Sequence, residues 1–103
     1  MKRNAARKID LFSSIWDIPK LDLQELKQLM QEVPFDTLRL ALLDVTDEIR
    51  TYVYNAATPV VAEQLKAFIL LKQMLLEKEV IKGTDILEAQ AEIGKVMEKL
   101  FQK

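Results

Sequence analysis

The sequence predicts an all-α fold, a right-angled or superhelical bundle of six helices. Half of the 103 residues are hydrophobic, which is enough to build a core, and only two glycines and three prolines are present. So few turn-forming residues disfavour a strand-rich sandwich or barrel and favour helices. A chain of this length supports one domain, over residues 1–103, with no room for a second.

The first two predicted helices are separated by a proline. Hydrophobic residues recur at helical spacing over residues 4–16 and predict an amphipathic helix, which Pro19 ends. Asp22 is a good N-cap for the second helix, and Glu25, three residues later, can complete a capping box. Pro34 stops this second helix.

Two shorter helices are predicted next. Asp36 or Thr37 can cap the third helix, because both side chains accept hydrogen bonds from the free amides of a first turn. Thr46 can cap the fourth helix in the same way. Ile49 and Val53 are four residues apart and are the expected inward positions of this fourth helix.

The fifth helix is expected to be the longest. Thr58 followed by Pro59 is a strong start signal, since proline at the first helical position loses an amide that has no helical partner. Continuous helical periodicity extends this helix to about Glu79. Gly83 then interrupts the chain, and Thr84 caps a last helix that runs to the end.

Hydrophobic residues lie on two sides of the predicted fifth helix, whereas a surface helix normally has one apolar stripe. One side carries Val61, Leu65, Phe68, Ile69 and Leu76, and the other carries Val60, Ala67, Leu70, Leu71, Met74 and Leu75. Two interpretations follow. Either this is the central helix of the bundle, covered on both sides, or it exposes one apolar face to a partner.

Several classes of function are disfavoured by composition. The chain has no cysteine and no histidine, so it lacks thiolate ligands and the commonest general base. Gly83 and Gly94 alone cannot build a phosphate-binding loop. The net charge of −1 gives no prior for nucleic acid, and the longest apolar run, Ala67–Leu71, is far too short to span a bilayer. We expect no catalytic residues, cofactor, metal, nucleic acid or membrane insertion.

Several short motifs together resemble one known family. They are Gln31-Glu32-Val33, Leu38, Ala41-Leu42, Ile49-Arg50, Ala62, Leu65, Glu88-Ala89-Gln90 and Ile93. In this order and spacing they resemble the C-terminal domain of the flagellar motor switch protein FliG. The resemblance implies a compact armadillo-like domain of the bacterial cytoplasmic rotor ring, which contacts the stator and other switch proteins. It places this helical core in residues 21–103, after an N-terminal helix and linker in residues 1–20.

The charged face of that family is not retained in this chain. Its basic and acidic positions correspond here to Leu43, Val60, Ala67 and Phe68, all of which are apolar. Such a face cannot attract a partner by charge. We therefore expect a face that binds by hydrophobic contact. Its predicted partner-binding residues are Leu43, Val60, Ala67, Phe68, Leu71 and Met74.

The sequence thus predicts a non-enzymatic, cytoplasmic protein–protein interaction module that resembles the FliG C-terminal domain. Its partner would be a flagellar or secretion-apparatus component, or a second copy of the chain in a homodimer. A self-associating helical scaffold unrelated to motility is the alternative. A carboxylate-based enzyme is a weaker one, because no acidic pair lies in an evident apolar setting.

Overall fold

A computed structural model describes residues 14–101, and all regular structure in this range is helical, which confirms the all-α prediction. Within these residues, six α-helices are accompanied by two short 3₁₀ helices. In chain order the elements are a first 3₁₀ helix (Ile15–Lys20), α1 (Leu23–Glu32), α2 (Phe35–Ala41), a second 3₁₀ helix (Leu42–Asp44), α3 (Asp47–Ala56), α4 (Pro59–Leu70), α5 (Lys72–Glu77) and α6 (Gly83–Phe101).

The N-terminal helix predicted over residues 4–16 lies largely outside the described residues. The part that is described is the first 3₁₀ helix, where the Ser14 side chain accepts a hydrogen bond from the amide of Trp16 at 3.3 Å. Pro19 lies inside this 3₁₀ helix and does not terminate it. A 3₁₀ turn tolerates this proline because the helix is a short connector that ends at the next residue.

Three of the predicted helix starts are confirmed. At the start of α1, Asp22 accepts from the amide of Glu25 at 2.8 Å, and the Glu25 carboxylate accepts from the amide of Asp22 at 3.0 Å, which completes the capping box. Thr46 caps α3 and Thr58 caps α4, each by accepting the amide of the third residue that follows. These starts are set by local sequence alone.

The predicted caps of α2 are wrong. This helix begins at Phe35, directly after Pro34, and no side chain caps it. Asp36 lies in the first helical turn and forms an ion pair with Arg39 at 3.2 Å. The fixed backbone angle of Pro34 starts the helix two to three residues earlier than a polar cap would, so Asp36 and Thr37 are both inside it.

The start of α6 also differs from the prediction. Thr84 lies inside the helix, which begins at Gly83. Asp85 reaches back instead, and its carboxylate accepts the amide of Lys82 at 2.8 Å. An acidic side chain in a first turn is favoured there by the helix dipole as well.

The predicted long fifth helix is divided at Leu71 into α4 and α5. The amide of Leu71 donates to the carbonyl of Phe68, three residues back, at 3.0 Å. Helical bonding resumes at once, because the amide of Leu75 donates to Leu71 at 2.9 Å. Helix α5 ends in a Schellman motif, in which Glu79 has a φ of 58° and the amide of Val80 donates to the carbonyl of Leu75 at 2.9 Å. One tightened turn therefore separates two nearly continuous helices.

The central helix of the fold is α6, and not the helix that follows Thr58. It packs against α1, α2 and both 3₁₀ helices, whereas α4 contacts α2, α3 and α5 at the side of the bundle. Its buried side chains, among them Ile93 and Met97, lie in the main core. The core also contains Ile15, Ile18, Leu21, Leu26, Leu29, Val33, Leu38, Ala41, Leu42, Ile49, Val53, Leu65 and Ala89.

Two polar side chains hold the turn that follows α2. Arg50 donates from Nε to the carbonyl of Leu42 at 2.9 Å and from Nη2 to that of Leu43 at 3.0 Å. Gln90, on α6, donates from Nε2 to the carbonyl of Ala41 at 3.1 Å and to that of Asp44 at 2.9 Å. These bonds satisfy carbonyls that the end of α2 leaves without helical partners.

Candidate functional site

The side of α4 and α5 that faces away from the core exposes several apolar side chains, with the exposed Glu63 among them. Leu70 is 85% exposed and Val60 is 67% exposed, while Leu71 and Met74 are 44% and 41% exposed. Ala67 is exposed as well. These five residues are named the outer face. Four of them, all except Leu70, are among the predicted partner-binding residues.

Helix geometry explains why these side chains do not reach the core. Leu65 is completely buried and marks the direction of the core from α4. At about 100° per residue, Val60, Ala67 and Leu70 point between about 140° and 160° away from Leu65. The core can cover only one side of a helix at the edge of a bundle, so the outer face is left to solvent.

Phe68 lies at the boundary between the buried side of α4 and the outer face. It is half-buried, and its ring centroid is 4.4 Å from the guanidinium carbon of Arg39, on α2. The same guanidinium is 5.9 Å from the centroid of Phe35. The Nε atom of Arg39 is buried without a hydrogen-bond partner among residues 14–101. Phe68 thus packs α4 against α2, with only part of its ring open to a partner.

Leu43 does not belong to the outer face, and its prediction as a partner-binding residue is wrong. Its side chain is completely buried in the second 3₁₀ helix. The bonds from Arg50 and Gln90 fix this turn so that Leu43 points inward. A residue transferred by sequence correspondence alone carries no information on which way its turn faces.

Charged side chains near the outer face are paired within the chain. Glu63 and Lys66 form an ion pair on α4 at 3.8 Å, and Lys72 lies 3.9 Å from Asp44. On α5, the side chain of Gln73 donates a hydrogen bond to the carboxylate of Glu77 at 3.1 Å. The outer face is therefore bordered by charges that largely neutralise each other.

Tyr54, on α3, lies beside the same region. Burial raises the pKa of its phenol above the ordinary value; the Arg50 guanidinium opposes this rise and the Asp47 carboxylate adds to it. The phenol therefore remains neutral at physiological pH. The ammonium of Lys66 is 5.2 Å from the centroid of its ring, a cation–π contact that joins α3 to α4.

An open groove of about 590 Å³ lies next to the outer face, and the sequence analysis did not identify it. Its lining is mostly apolar, with Lys27 as the charged residue at the rim. The short side chains of Ala56 and Ala57, at the end of α3, leave this space unfilled; no sequence signal indicates such a gap. The lining residues are Lys27, Met30, Gln31, Val33, Phe35, Leu38, Asn55, Ala56, Ala57, Thr58 and Val61.

Residues 14–101 contain no group of three or more acidic side chains placed to hold a metal ion. In the same range, no helix has the length and hydrophobicity that crossing a bilayer requires.

The sequence profile of the FliG C-terminal domain matches residues 4–103. The chain belongs to this family. Searches of curated proteins and of solved structures gave no significant match. The family is a component of the flagellar motor switch, which acts through protein–protein contacts, and is not an enzyme family.

The structure shows what two of the motif residues shared with the FliG family do. Arg50 and Gln90 both carried the resemblance, and both bond to the turn after α2. Their role in this structure is therefore to hold the fold. The outer face, in contrast, carries none of the charges that the resemblance associates with partner contact.

Proposed function

We propose that this FliG-family chain is a non-enzymatic protein-interaction module of the flagellar motor or a related secretion apparatus. It acts on the cytoplasmic side and binds a protein partner through the outer face of α4 and α5. The observation that carries the proposal is the exposure of Leu70 and Val60 on the side opposite the buried Leu65. Soluble monomers rarely expose large apolar side chains clustered in this way.

The proposed binding is hydrophobic and not charge-steered. Val60 and Ala67 occupy positions where the resemblance predicts charge, and the nearby Glu63 and Lys66 are paired with each other. Apolar contacts are insensitive to ionic screening, whereas exposed ion pairs weaken as salt is added. Binding through this surface should therefore persist as ionic strength increases.

The groove supports an interaction module better than it supports an enzyme. Lys27 is the titratable side chain in its lining, which contains no carboxylate. General acid–base chemistry by a carboxylate needs such a group within hydrogen-bond reach of the substrate. The groove reaches α4 at Val61, whose side chain points about 100° away from that of Val60 on the outer face.

Site-specific photo-crosslinking in the native host tests the proposed function. A photoreactive amino acid at Leu70 should cross-link to a flagellar or secretion-apparatus protein, or to a second copy, identified by mass spectrometry. The same amino acid at Leu23, an exposed leucine on α1, is the matched control. Equal labelling from both positions, or none from Leu70, would contradict the proposal.

A further inference from the structure

Residues 71–82, named the α5 segment, are held to the bundle by few contacts. The structure describes the whole segment, and Leu75 is its only buried side chain. Leu75 does not belong to the main core cluster. Among the described residues, α5 packs chiefly beside α4, which precedes it in the chain. The ion pair between Lys72 and Asp44 is partly exposed and 3.9 Å long, and such pairs contribute little to stability.

The backbone departs from helical geometry at both ends of the α5 segment. At its start, Leu71 has a φ of −89° and a ψ of 1°, and its amide bonds to a carbonyl only three residues back. Near its end, Glu79 has a φ of 58°. This left-handed conformation is unfavourable for a residue with a Cβ atom, and glycine is the usual residue at this position of a Schellman motif. The docked segment therefore carries a backbone cost that its opening removes.

The helices on either side of the α5 segment are anchored more firmly. Helix α4 buries Leu65 in the main core, and α6 buries Ile93 and Met97 there. Parts of a protein with few buried apolar contacts open at a lower free energy than the whole chain unfolds. The α5 segment is thus the part of residues 59–101 that we expect to open first.

We infer that the α5 segment detaches and docks again as one cooperative unit, with Leu71 as the hinge, while α4 and α6 stay folded. This inference goes beyond the proposed function, because the opening is a property of the chain without a partner. Leu71 and Met74 belong to the outer face, so opening separates them from Val60, Ala67 and Leu70 on α4. A partner that contacts both parts of the outer face therefore binds the docked form and stabilises it.

Amide hydrogen exchange of the full chain, followed by NMR, tests the opening. Five amides report on the docked segment, because each donates a hydrogen bond within it. They should share one protection factor and exchange at least about tenfold faster than the amides of Gly94 and Met97, which exchange only when the whole chain unfolds. The five are the amides of Leu75, Lys78, Glu79, Val80 and Ile81.

A core variant separates local opening from global unfolding. Ile93→Val should accelerate the exchange of Gly94 and Met97 by about fivefold, because it leaves a small cavity in the core. It should leave the five segment amides unchanged, since Ile93 stays buried when the segment opens. If the segment opened only by global unfolding, its amides would be accelerated equally.

Changes within the segment should shift its opening in opposite directions. Leu75→Ala removes the anchor and should accelerate the five amides by at least about tenfold, whereas Leu87→Ala, at an exposed leucine of α6, should not. Glu79→Gly removes the Cβ atom from the left-handed position and should slow the five amides by about threefold. The same change at Glu77, inside α5, should accelerate them, because glycine weakens an ordinary helical turn.

Three results would overturn the inference. The first is equal acceleration of the segment and α6 amides by Ile93→Val. The second is protection that falls gradually from one segment amide to the next, which would indicate fraying and not a single unit. The third is faster exchange in Glu79→Gly. All three are measured without a partner, so photo-crosslinking from Leu70 in cells decides the proposed function separately.

Discussion

Both sides of α4 carry large apolar residues, and the surroundings of these residues are opposite. Leu65 is completely buried against the core, whereas Leu70, five residues later on the same helix, is 85% exposed. Glu63 and Lys66 are exposed on α4, but the apolar residues of the outer face lie among them. The comparison shows that an apolar residue in a helix is expected to be covered. Its hydrophobicity does not indicate whether the same chain or a partner covers it.

The largest expected effect compares these two leucines as alanine variants. Leu65→Ala should lower the free energy of unfolding by about 2–5 kcal/mol, because it leaves a cavity in the core. Leu70→Ala should change it by no more than about 0.5 kcal/mol in dilute solution, where no partner covers the side chain. Urea denaturation of both variants at low protein concentration measures the difference. Similar losses from the two variants would contradict the assignment of the two sides.

How much of this arrangement the sequence predicts depends on whether a feature is local. Asp22, Thr46 and Thr58 were predicted as caps and confirmed, since each bonds to an amide three residues away. The choice of the buried side of α4 depends on how the chain packs α4 against α3, which precedes it, and against α2, which lies about 20 residues earlier. With apolar residues on both sides, periodicity could not decide it.

Two errors in the prediction concern features that the local sequence does not signal. Leu43 was assigned to the surface by correspondence, but hydrogen bonds from Arg50 and Gln90 turn it into the core. The interruption at Leu71 carries no glycine or proline to announce it, so a continuous helix was the reasonable prediction. In both cases the local pattern carried no signal of the outcome.

The second prediction tests the turn that buries Leu43. Arg50→Met removes two hydrogen bonds from a charged donor to carbonyls at the end of α2, and should lower the free energy of unfolding by about 2 kcal/mol. The guanidinium is mostly covered, so solvent replaces these bonds poorly. Arg50→Lys is the matched control, since it keeps the charge without the planar donors and should recover only part of the loss. Thermal unfolding measures both, and a loss fully recovered by lysine would show that charge, not geometry, holds the turn.

The smallest effect concerns the boundary between the two sides, where Phe68 stacks on Arg39. Arg39 is partly exposed and already pairs with Asp36. The contact between Arg39 and Phe68 should therefore contribute only about 0.5–1 kcal/mol to the free energy of unfolding. A double-mutant cycle of Arg39→Met and Phe68→Leu isolates this coupling from the packing that each side chain makes alone. If the cycle gives no coupling energy, the contact with Arg39 does not hold the ring of Phe68 in place. The ring can then turn toward the outer face. A measurable coupling energy would show that Arg39 holds the ring of Phe68 against α2. A partner would then contact only the edge of this ring, and the five residues of the outer face would supply most of the contact.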